Sequence, residues 1–370
     1  MRIIVSGGGT GGHIYPAITL IQAIRERVPE AEFLYVGAKN GLEADIVPKE
    51  GLPFEAIELQ SFERHFTLSN FKTVGKAMMG LVKANRIVKR FRPDAAVGTG
   101  GYVCGPILLA ASLMHVPTLI QEQNVLPGIT NRILSKFVTK IAVGAEAAAG
   151  HFPRGKAVYT GNPIRREVMS AEREDGLKAF GFDGSKPVVL VSGGSRGARS
   201  INRAMVSVLR EAQKQPGIQF LHVTGKGEYE DIQSRLKDAG VDLSKAPHIR
   251  VEPYLYNMPQ AMAMADLAVF RAGATGLAEL TARGIPAVLI PYPYASENHQ
   301  EYNARALVEA GAAKMILNKD LTGETLGEML RELFAEPGRL NMMAEASRKM
   351  GRPQAAGEIA DMILELTKSV

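Results

Sequence analysis

The sequence predicts an α/β protein in which two Rossmann-like domains, each built on a parallel sheet, face each other across a cleft. Apolar strand-like segments alternate with helical patterns along the chain, which is typical of parallel sheets covered by helices on both faces. A short strand leads into a glycine-rich turn and a helix twice, at Ile3 to Ala17 and again from Val188 onwards. With 370 residues, the chain suits two domains rather than one, and ligands commonly bind between domains.

The predicted elements follow the same alternation in both halves. In the first half we expect the strands Arg2–Val5, Phe33–Val36, Phe54–Ile57, Ala95–Val97, Thr118–Ile120 and Lys140–Val143. In the second half we expect Val188–Val191, Phe220–Val223, His248–Val251, Leu267–Phe270, Ala287–Ile290 and Lys314–Ile316. The segment Tyr159–Arg166 interrupts the alternation with a glycine, an asparagine and a proline, so we predict that it is the linker. Helical patterns occupy Thr322 to Leu366.

The first glycine-rich turn, Gly7 to His13, is predicted to bind an anion. Backbone N–H groups and the helix dipole favour negative charge at such a helix start. A P-loop needs a lysine and then a serine or threonine after its last glycine, whereas His13 and Ile14 follow here. The second strand also ends without the acidic residue that holds the ribose of a dinucleotide. P-loop chemistry and NAD binding are therefore disfavoured, and a tight turn without a ligand remains the alternative.

Composition limits the class of protein further. Cys104 is the only cysteine, which excludes an intrachain disulfide and a four-cysteine zinc site and suits a reducing compartment. The N-terminus enters a strand directly, without the pattern of a signal peptide, and the longest apolar run, Ile107 to Met114, is too short to cross a bilayer. The formal charge of +6 is compatible with an anionic partner but does not identify it.

One predicted helix, Phe71 to Phe91, combines an apolar stripe with a basic face. Its surroundings contain no acidic residue between Arg64 and Arg92, and apolar groups lie among the cations, as in helices that bind membrane surfaces. The residues predicted to contact an anionic membrane are Lys72, Lys76, Met79, Lys83, Ile87 and Arg90. A solvated charged face is the alternative, and nucleic acid is not expected because no nucleic-acid motif accompanies the charges.

Polar segments follow several predicted strands, where doubly wound sheets place their ligand groups. The segment Gln121 to Asn124 follows one strand, and Asn124 is either a ligand group or the cap of the next helix. Gly98 to Tyr102 forms a second loop at the same edge. In the second half, Gly273 opens a helix in which Glu279 either binds a ribose diol or lies on the surface. The amides and imidazole of Asn298 to Gln300 can read sugar hydroxyls.

Six motifs occur in a fixed order along almost the whole chain. They are GGGTGGH at Gly7–His13, GGY at Gly100–Tyr102, EQN at Glu122–Asn124, GNPIR at Gly161–Arg165, GGSRGA at Gly193–Ala198 and HQEYNA at His299–Ala304. Together they resemble the MurG family, the bacterial N-acetylglucosaminyltransferases that convert lipid I into lipid II. The resemblance implies a GT-B fold, with an acceptor domain at 1–161, a donor domain at 162–352 and a C-terminal helix, about 353–370, that packs back on the first domain.

The resemblance also implies the reaction and its setting. The enzyme would transfer N-acetylglucosamine from UDP-N-acetylglucosamine to the 4-hydroxyl of the muramoyl sugar of lipid I, with inversion. No DxD carboxylate pair occurs at a plausible strand end in this sequence, so we expect neither a metal nor a cofactor. It would work as a peripheral protein at the cytoplasmic face of the bacterial inner membrane, with cell-wall assembly proteins as further partners. Other enzymes of this fold, such as a UDP-sugar 2-epimerase or a transferase with a soluble acceptor, and a non-catalytic nucleotide-sugar sensor remain alternatives.

Site residues are implied motif by motif. The donor-binding set is Thr10, Gly11, Gly12, Asn124, Arg165, Ser195, Leu255, Ala274, Thr275, Gly276, Leu277, Ala278, Glu279, His299 and Gln300. Within it, Ser195 and Arg165 would contact the diphosphate, the Leu255 backbone the uracil and Glu279 the ribose. Gly9 and Tyr102 would bind the acceptor.

His13 is our hypothesis for the general base, because a neutral imidazole accepts protons near pH 7; a structural role is its alternative. Three residues depart from the family pattern: Gln121 replaces a histidine, Ala272 a serine and Gly276 a threonine. Thr275 can supply the hydroxyl that the last two changes remove.

Overall fold

The chain divides into two compact units, here called unit 1 (Met1–Ile164 with Pro353–Val370) and unit 2 (Arg165–Arg352). The computed structural model describes residues 1–58, 69–194 and 197–368, with the backbone alone at 69–78. The segment predicted as the linker contains the point at which the chain passes from unit 1 to unit 2.

Unit 1 contains a seven-stranded parallel sheet in the order β3-β2-β1-β4-β5-β6-β7. Its strands are β1 (Arg2–Ser6), β2 (Glu32–Ala38), β3 (Phe54–Ile57), β4 (Ala95–Gly98), β5 (Thr118–Glu122), β6 (Lys140–Val143) and β7 (Ala157–Tyr159). In the register, Ser6 lies opposite Gly98, and Gly98 opposite Ile120. The segments that follow β1, β4 and β5 therefore leave the sheet at one edge.

The helices of unit 1 cover both faces of this sheet. They are α1 (Gly11–Arg27), α2 (Glu43–Lys49), α3 (Ser69–Phe91), α4 (Cys104–Leu113) and α5 (Ile129–Leu134), with a 3-10 turn at Glu146–His151. Most of their buried side chains are aliphatic, and burying a Val, Leu or Ile side chain contributes roughly 1.5–3 kcal/mol of stabilisation.

Unit 2 contains a six-stranded parallel sheet in the order β10-β9-β8-β11-β12-β13. Its strands are β8 (Val188–Ser192), β9 (Gln219–Val223), β10 (Ile249–Glu252), β11 (Leu267–Phe270), β12 (Ala287–Leu289) and β13 (Ala313–Met315). Its helices are α6 (Arg166–Ser170), α7 (Arg173–Phe180), α8 (Arg199–Ala212), α9 (Tyr229–Asp238), α10 (Met258–Met264), α11 (Ala274–Arg283), α12 (His299–Glu309), α13 (Gly323–Ala335) and α14 (Arg339–Met350), with 3-10 turns at Leu243–Lys245 and Ser296–Asn298. Ser192, Phe270 and Leu289 align across neighbouring strands, so the loops after them also share one edge.

The last helix, α15 (Ala355–Lys368), belongs to unit 1. Ile359 and Ile363 are fully buried in the core that α1 and the sheet form. Arg27 of α1 also forms an ion pair with Asp361, with Nε 2.5 Å from Oδ1. The C-terminal helix therefore stabilises the unit that contains the first glycine-rich turn.

The fold class is confirmed: both parallel sheets and all twelve predicted strands are present. The sequence missed β7, a three-residue edge strand in which Val158 is 40% exposed. The strand β5 runs two residues further than predicted, so Gln121 and Glu122 lie inside it, fully buried, rather than after it.

The basic helix is present as α3, but one of its predicted membrane contacts is wrong. Ile87 is 1% exposed and packs in the core with Ala84 and Val88, because these three positions are spaced i, i+3 and i+4 on one face. Met79 is 64% exposed, and Lys83 and Arg90 are also exposed. The side chains of Lys72 and Lys76 lie outside the described part. Across the described ranges, no helix is both long and apolar enough to cross a membrane.

Candidate active site

The helix α1 presents free backbone amides at its start. Thr10 is the N-cap residue and makes no side-chain cap bond, and the N–H groups of Thr10, Gly11 and Gly12 have no partner among the described residues. Gly9 is different, because its N–H donates to the Glu43 carboxylate at 3.0 Å. The amides that remain available for the predicted anion are therefore those from Thr10 to Gly12.

Glu43 is a residue that sequence reasoning missed. Its carboxylate is fully buried behind the turn and also accepts from Ala38 N–H at 2.9 Å. A Cβ on Gly8 or Gly41 would lie within 2.5 Å of its carboxyl atoms. The glycines on this side of the turn therefore make room for a buried carboxylate and not for a phosphate group.

His13 lies where α1 approaches the loop after β4. Its Nδ1 is 2.9 Å from the carbonyl oxygen of Thr99 and 3.0 Å from Oε1 of Gln123. A Cβ on Gly100 would lie 2.7 Å from Nδ1, and Gly100 has a φ of +106°. Gly100 is therefore required both by its backbone conformation and by the imidazole that packs against it.

Tyr102 and Gly9, both predicted to bind the acceptor, lie next to each other. The Tyr102 ring is 3.8 Å from the position of a Cβ on Gly9, whose φ is +84°. Burial and the nearby Glu43 carboxylate raise the pKa of Tyr102. The phenol therefore stays protonated and can donate a hydrogen bond to an oxygen ligand.

Asn124 does not cap a helix, since α5 begins five residues further on, at Ile129, with Gly128 as its N-cap. Instead, its backbone N–H and Nδ2 donate to Oε1 of Glu122 at 2.9 and 3.2 Å. The other oxygen of Glu122 accepts from Gly128 N–H and from Asn131 Nδ2. Glu122 is 1% exposed, so it organises the loop that contains Asn124 rather than contacting a ligand itself.

In unit 2, Glu279 and Arg165 form an ion pair. Nε and Nη2 of Arg165 are each 2.9 Å from Oε1 of Glu279. The Glu279 side chain is only 7% exposed, so the surface alternative for this residue is wrong. Burial raises the pKa of Glu279, and Arg165 opposes that shift. Oε2 of Glu279 has no partner among the described residues, which leaves it available to a ligand hydroxyl.

The start of α11 resembles the start of α1. Gly273 is the N-cap, as predicted, and the amides of Ala274, Thr275 and Gly276 have no partner in the described part of the chain. The Thr275 hydroxyl is buried and also lacks a partner there. The Leu277 side chain, in contrast, packs in the core at 4% exposure, so only its backbone can line a site; Ala278 is half-buried.

Arg271, which was not predicted from the sequence, is a half-buried cation without a carboxylate partner among the described residues. Its Nη1 donates to the carbonyls of Ile290 and Pro291 and to Asn318 Oδ1, at 2.9–3.1 Å. Its Nη2 donates to Ser200 Oγ at 2.9 Å. Burial lowers the pKa of Arg271 to about 10. This residue joins three loops at the sheet edge and adds uncompensated positive charge there.

Of the remaining predicted donor residues, Leu255 lies on a loop of unit 2, and His299 and Gln300 begin α12. Leu255 is 8% exposed, and its backbone N–H and C=O have no partner among the described residues. Gln300 accepts from Tyr292 N–H at 2.9 Å, and its Nε2 has no partner in the described ranges of the chain. His299 has Nδ1 2.7 Å from the Ser296 carbonyl. Ser195 lies outside the described residues. No group of three or more potential metal ligands occurs in the parts of the chain that the structure describes.

Family models match both halves of the chain. The glycosyltransferase family 28 N-terminal domain matches residues 3–143, and the glycosyltransferase family 28 C-terminal domain matches residues 188–359. A UDP-N-acetylglucosamine–N-acetylmuramyl-(pentapeptide) pyrophosphoryl-undecaprenol N-acetylglucosamine transferase from Desulforamulus reducens is 48% identical, over 97% of both chains. The enzyme of the same name from Bacillus cytotoxicus is 46% identical over the full length of both.

Solved structures agree with these relatives. The crystal structure of Acinetobacter baumannii MurG matches with a TM-score of 0.77 at 28% identity, over 98% of this chain and 99% of that one. A Staphylococcus aureus MnaA–UDP structure matches with a TM-score of 0.71 at 14% identity, over 100% and 98%, which shows a shared fold alone. The chain belongs to glycosyltransferase family 28 and, within it, to the MurG family of N-acetylglucosamine transferases.

Proposed function

We propose that this protein transfers N-acetylglucosamine from UDP-N-acetylglucosamine to the 4-hydroxyl of the muramoyl sugar of lipid I, giving lipid II with inversion at the anomeric carbon. The observation that carries the proposal is the family membership, with 45–48% identity to curated transferases over nearly the whole chain. The 2-epimerase alternative has no comparable support. The solved 2-epimerase structures share only 12–15% identity with this chain, which shows a common fold alone.

Unit 2 holds the donor in this proposal. The free Oε2 of Glu279 accepts hydrogen bonds from the ribose hydroxyls, and the Leu255 backbone pairs with the uracil edge. The free amides at the start of α11, the Thr275 hydroxyl and the guanidinium of Arg271 supply positive potential for the diphosphate. This charge stabilises UDP as it leaves, so the proposal requires no metal ion.

Unit 1 supplies the acceptor site and the base. His13 removes the proton of the attacking hydroxyl, Tyr102 and Gly9 line the acceptor position, and the amides of Thr10 to Gly12 receive its anionic diphosphate. His13→Ala tests the base: we expect turnover to fall by 10²–10⁴-fold, with UDP affinity and fold intact. Turnover within a few-fold of the parent would remove His13 from that role.

Docking to an anionic membrane surface at the cytoplasmic face of the inner membrane follows from a lipid acceptor, and exposed apolar residues on unit 1 support it. Met79 and Val82 of α3 are 64% and 50% exposed, Ile133 of α5 is 59% exposed and Phe137 is 47% exposed. The helix α4 contacts both α3 and α5. Lys156 donates to the carbonyls of residues 135, 136 and 138, which fixes the turn that contains Phe137.

Cations accompany these apolar groups, as docking to anionic lipid requires. Lys83, Arg86 and Lys89 are exposed and have no ion-pair partner among the described residues, whereas Arg90 pairs with Glu55. Assembly with other cell-wall proteins at this surface is a further part of the proposal, and it rests on the family resemblance alone.

Vesicle co-sedimentation tests the docking surface. Replacing Met79, Val82 and Phe137 by Ser should weaken binding to anionic vesicles, and so should replacing Lys72, Lys76, Lys83 and Arg90 by Gln. Met342→Ser, at a 56% exposed methionine of unit 2, is the matched control and should bind as the parent does. Equal binding by all variants would exclude this surface.

A further inference from the structure

The two neighbours of Nδ1 on His13 determine which nitrogen carries the proton. The carbonyl oxygen of Thr99 can only accept a hydrogen bond, and the other neighbour is the side-chain amide of Gln123. If the amide presents its oxygen, Nδ1 faces two acceptors and must be protonated. The tautomer of His13 therefore depends on which way the Gln123 amide points.

The surroundings of Gln123 determine that direction. Its Nε2 donates to the carbonyl oxygens of Thr99 and Gln121, at 2.6 and 3.1 Å, and to Oε1 of Gln121 at 2.5 Å. Reversing the amide would place its oxygen against three acceptors and its nitrogen against His13. Only the orientation of the Gln123 amide with Oε1 toward His13 gives each of these donors and acceptors a hydrogen-bond partner.

Two further amides hold this arrangement in place. Nε2 of Gln121 donates to Oδ1 of Asn162 at 2.8 Å, and Nδ2 of Asn162 donates to the Gln123 carbonyl at 2.9 Å. All three amide side chains are at least nine-tenths buried, so a reversed amide would leave polar groups unpaired away from water. Gly144 allows the close approach, since a Cβ there would lie 2.1 Å from Asn162 Oδ1.

We infer that Gln123 is a positioning residue that holds His13 as the Nδ1–H tautomer and thereby leaves Nε2 as the nitrogen that accepts the proton of the acceptor hydroxyl. The second half of this inference rests on the proposed function. In the transfer step, the acceptor oxygen forms a bond to the anomeric carbon as the bond to UDP breaks, and the hydroxyl proton moves to Nε2. Nδ1 keeps its proton throughout and donates to Thr99 and Gln123 before and after the transfer.

Nitrogen NMR on the full chain tests the tautomer directly. The chain contains seven histidines, so the protein is labelled with ¹⁵N-histidine and the His13 signals are assigned by their loss in His13→Gln. At a pH where the imidazole is neutral, we expect the proton on Nδ1 of His13 and a lone pair on Nε2. A proton on Nε2 would overturn the inference, whatever the activity of the enzyme.

Gln123→Met tests the positioning role, because methionine has a similar length without the amide. We expect His13 to lose part of its Nδ1–H population and kcat to fall about five-fold, the worth of one hydrogen bond, with KM for UDP-N-acetylglucosamine unchanged. The tautomer of His299, whose Nδ1 faces a carbonyl in unit 2, should stay as in the parent. An unchanged His13 tautomer and kcat would overturn the role of Gln123. Parental turnover in His13→Ala would instead remove the base assignment and leave the tautomer result standing.

Discussion

Glu279→Gln should separate donor binding from stability. The carboxylate is buried, accepts from Arg165 with one oxygen and leaves the other without a partner among the described residues. Glutamine keeps the shape of the side chain and an oxygen for Arg165, but it removes the negative charge. The substitution therefore tests whether the charge is maintained for a ligand or for the fold.

The direction of the stability change follows from the pKa. Burial raises the pKa of Glu279, so this residue favours folding when protonated, below the unfolded pKa near 4.5. That contribution is lost as the pH rises through the higher folded pKa. At neutral pH the negative charge of Glu279 therefore opposes folding. The Arg165 side chain is 36% exposed, so its guanidinium keeps contact with water when residue 279 is neutral. We expect Glu279→Gln to change the free energy of unfolding by between zero and a gain of about 1 kcal/mol, with the gain disappearing in acid.

Donor affinity should change much more. A hydrogen bond to a charged group contributes about 1.5–3 kcal/mol, so loss of the charge opposite the ribose hydroxyls should weaken UDP binding roughly 10- to 150-fold. Calorimetry with UDP and urea unfolding measure the two quantities on the same samples. Glu211→Gln, at an exposed carboxylate of α8 that pairs with Lys214, is the control and should change neither. Unaltered UDP affinity with a large loss of stability would show that Glu279 is structural.

Three further substitutions test other parts of the account. Gly100→Ala should lower stability by about 1–3 kcal/mol and lower kcat, because the residue has a φ of +106° and its Cβ would meet His13. Gly217→Ala, at a glycine with open space around it, is the control and should leave both unchanged. Thr275→Val should leave the unfolding midpoint equal or higher, since its buried hydroxyl has no partner among the described residues, while KM for the donor rises several-fold; an unchanged KM would remove the hydroxyl from the diphosphate site. Ile87→Ala should lower the free energy of unfolding by about 2–5 kcal/mol and leave vesicle binding by the folded protein intact. A loss of vesicle binding without a loss of stability would show that Ile87 contacts the membrane.

The strands could be predicted because each is a short apolar run bounded by turn residues. Strand β7 could not, since a three-residue edge strand with an exposed Val158 has no such pattern. The basic helix and its apolar stripe were predicted, but the width of that stripe was not. Ile87 is buried beside Ala84 and Val88, and only the packing of α3 shows this.

The candidate site was likewise predictable only in part. Motif resemblance identified Glu279 and His13, but it did not show that Arg165 pairs with Glu279 or that Gln123 faces His13. These partners are about a hundred residues apart in the sequence, and no local pattern connects them. Arg271 could not be predicted, because its partners are backbone carbonyls and neutral side chains, and such contacts leave no pattern in the sequence.

Incubating the purified protein with radiolabelled UDP-N-acetylglucosamine and a lipid I analogue is the direct test of the proposed transfer. We expect a disaccharide lipid, with one UDP released per sugar transferred and with the anomeric configuration inverted. Release of free sugar, conversion of the donor to an epimer, or transfer with retention would contradict it.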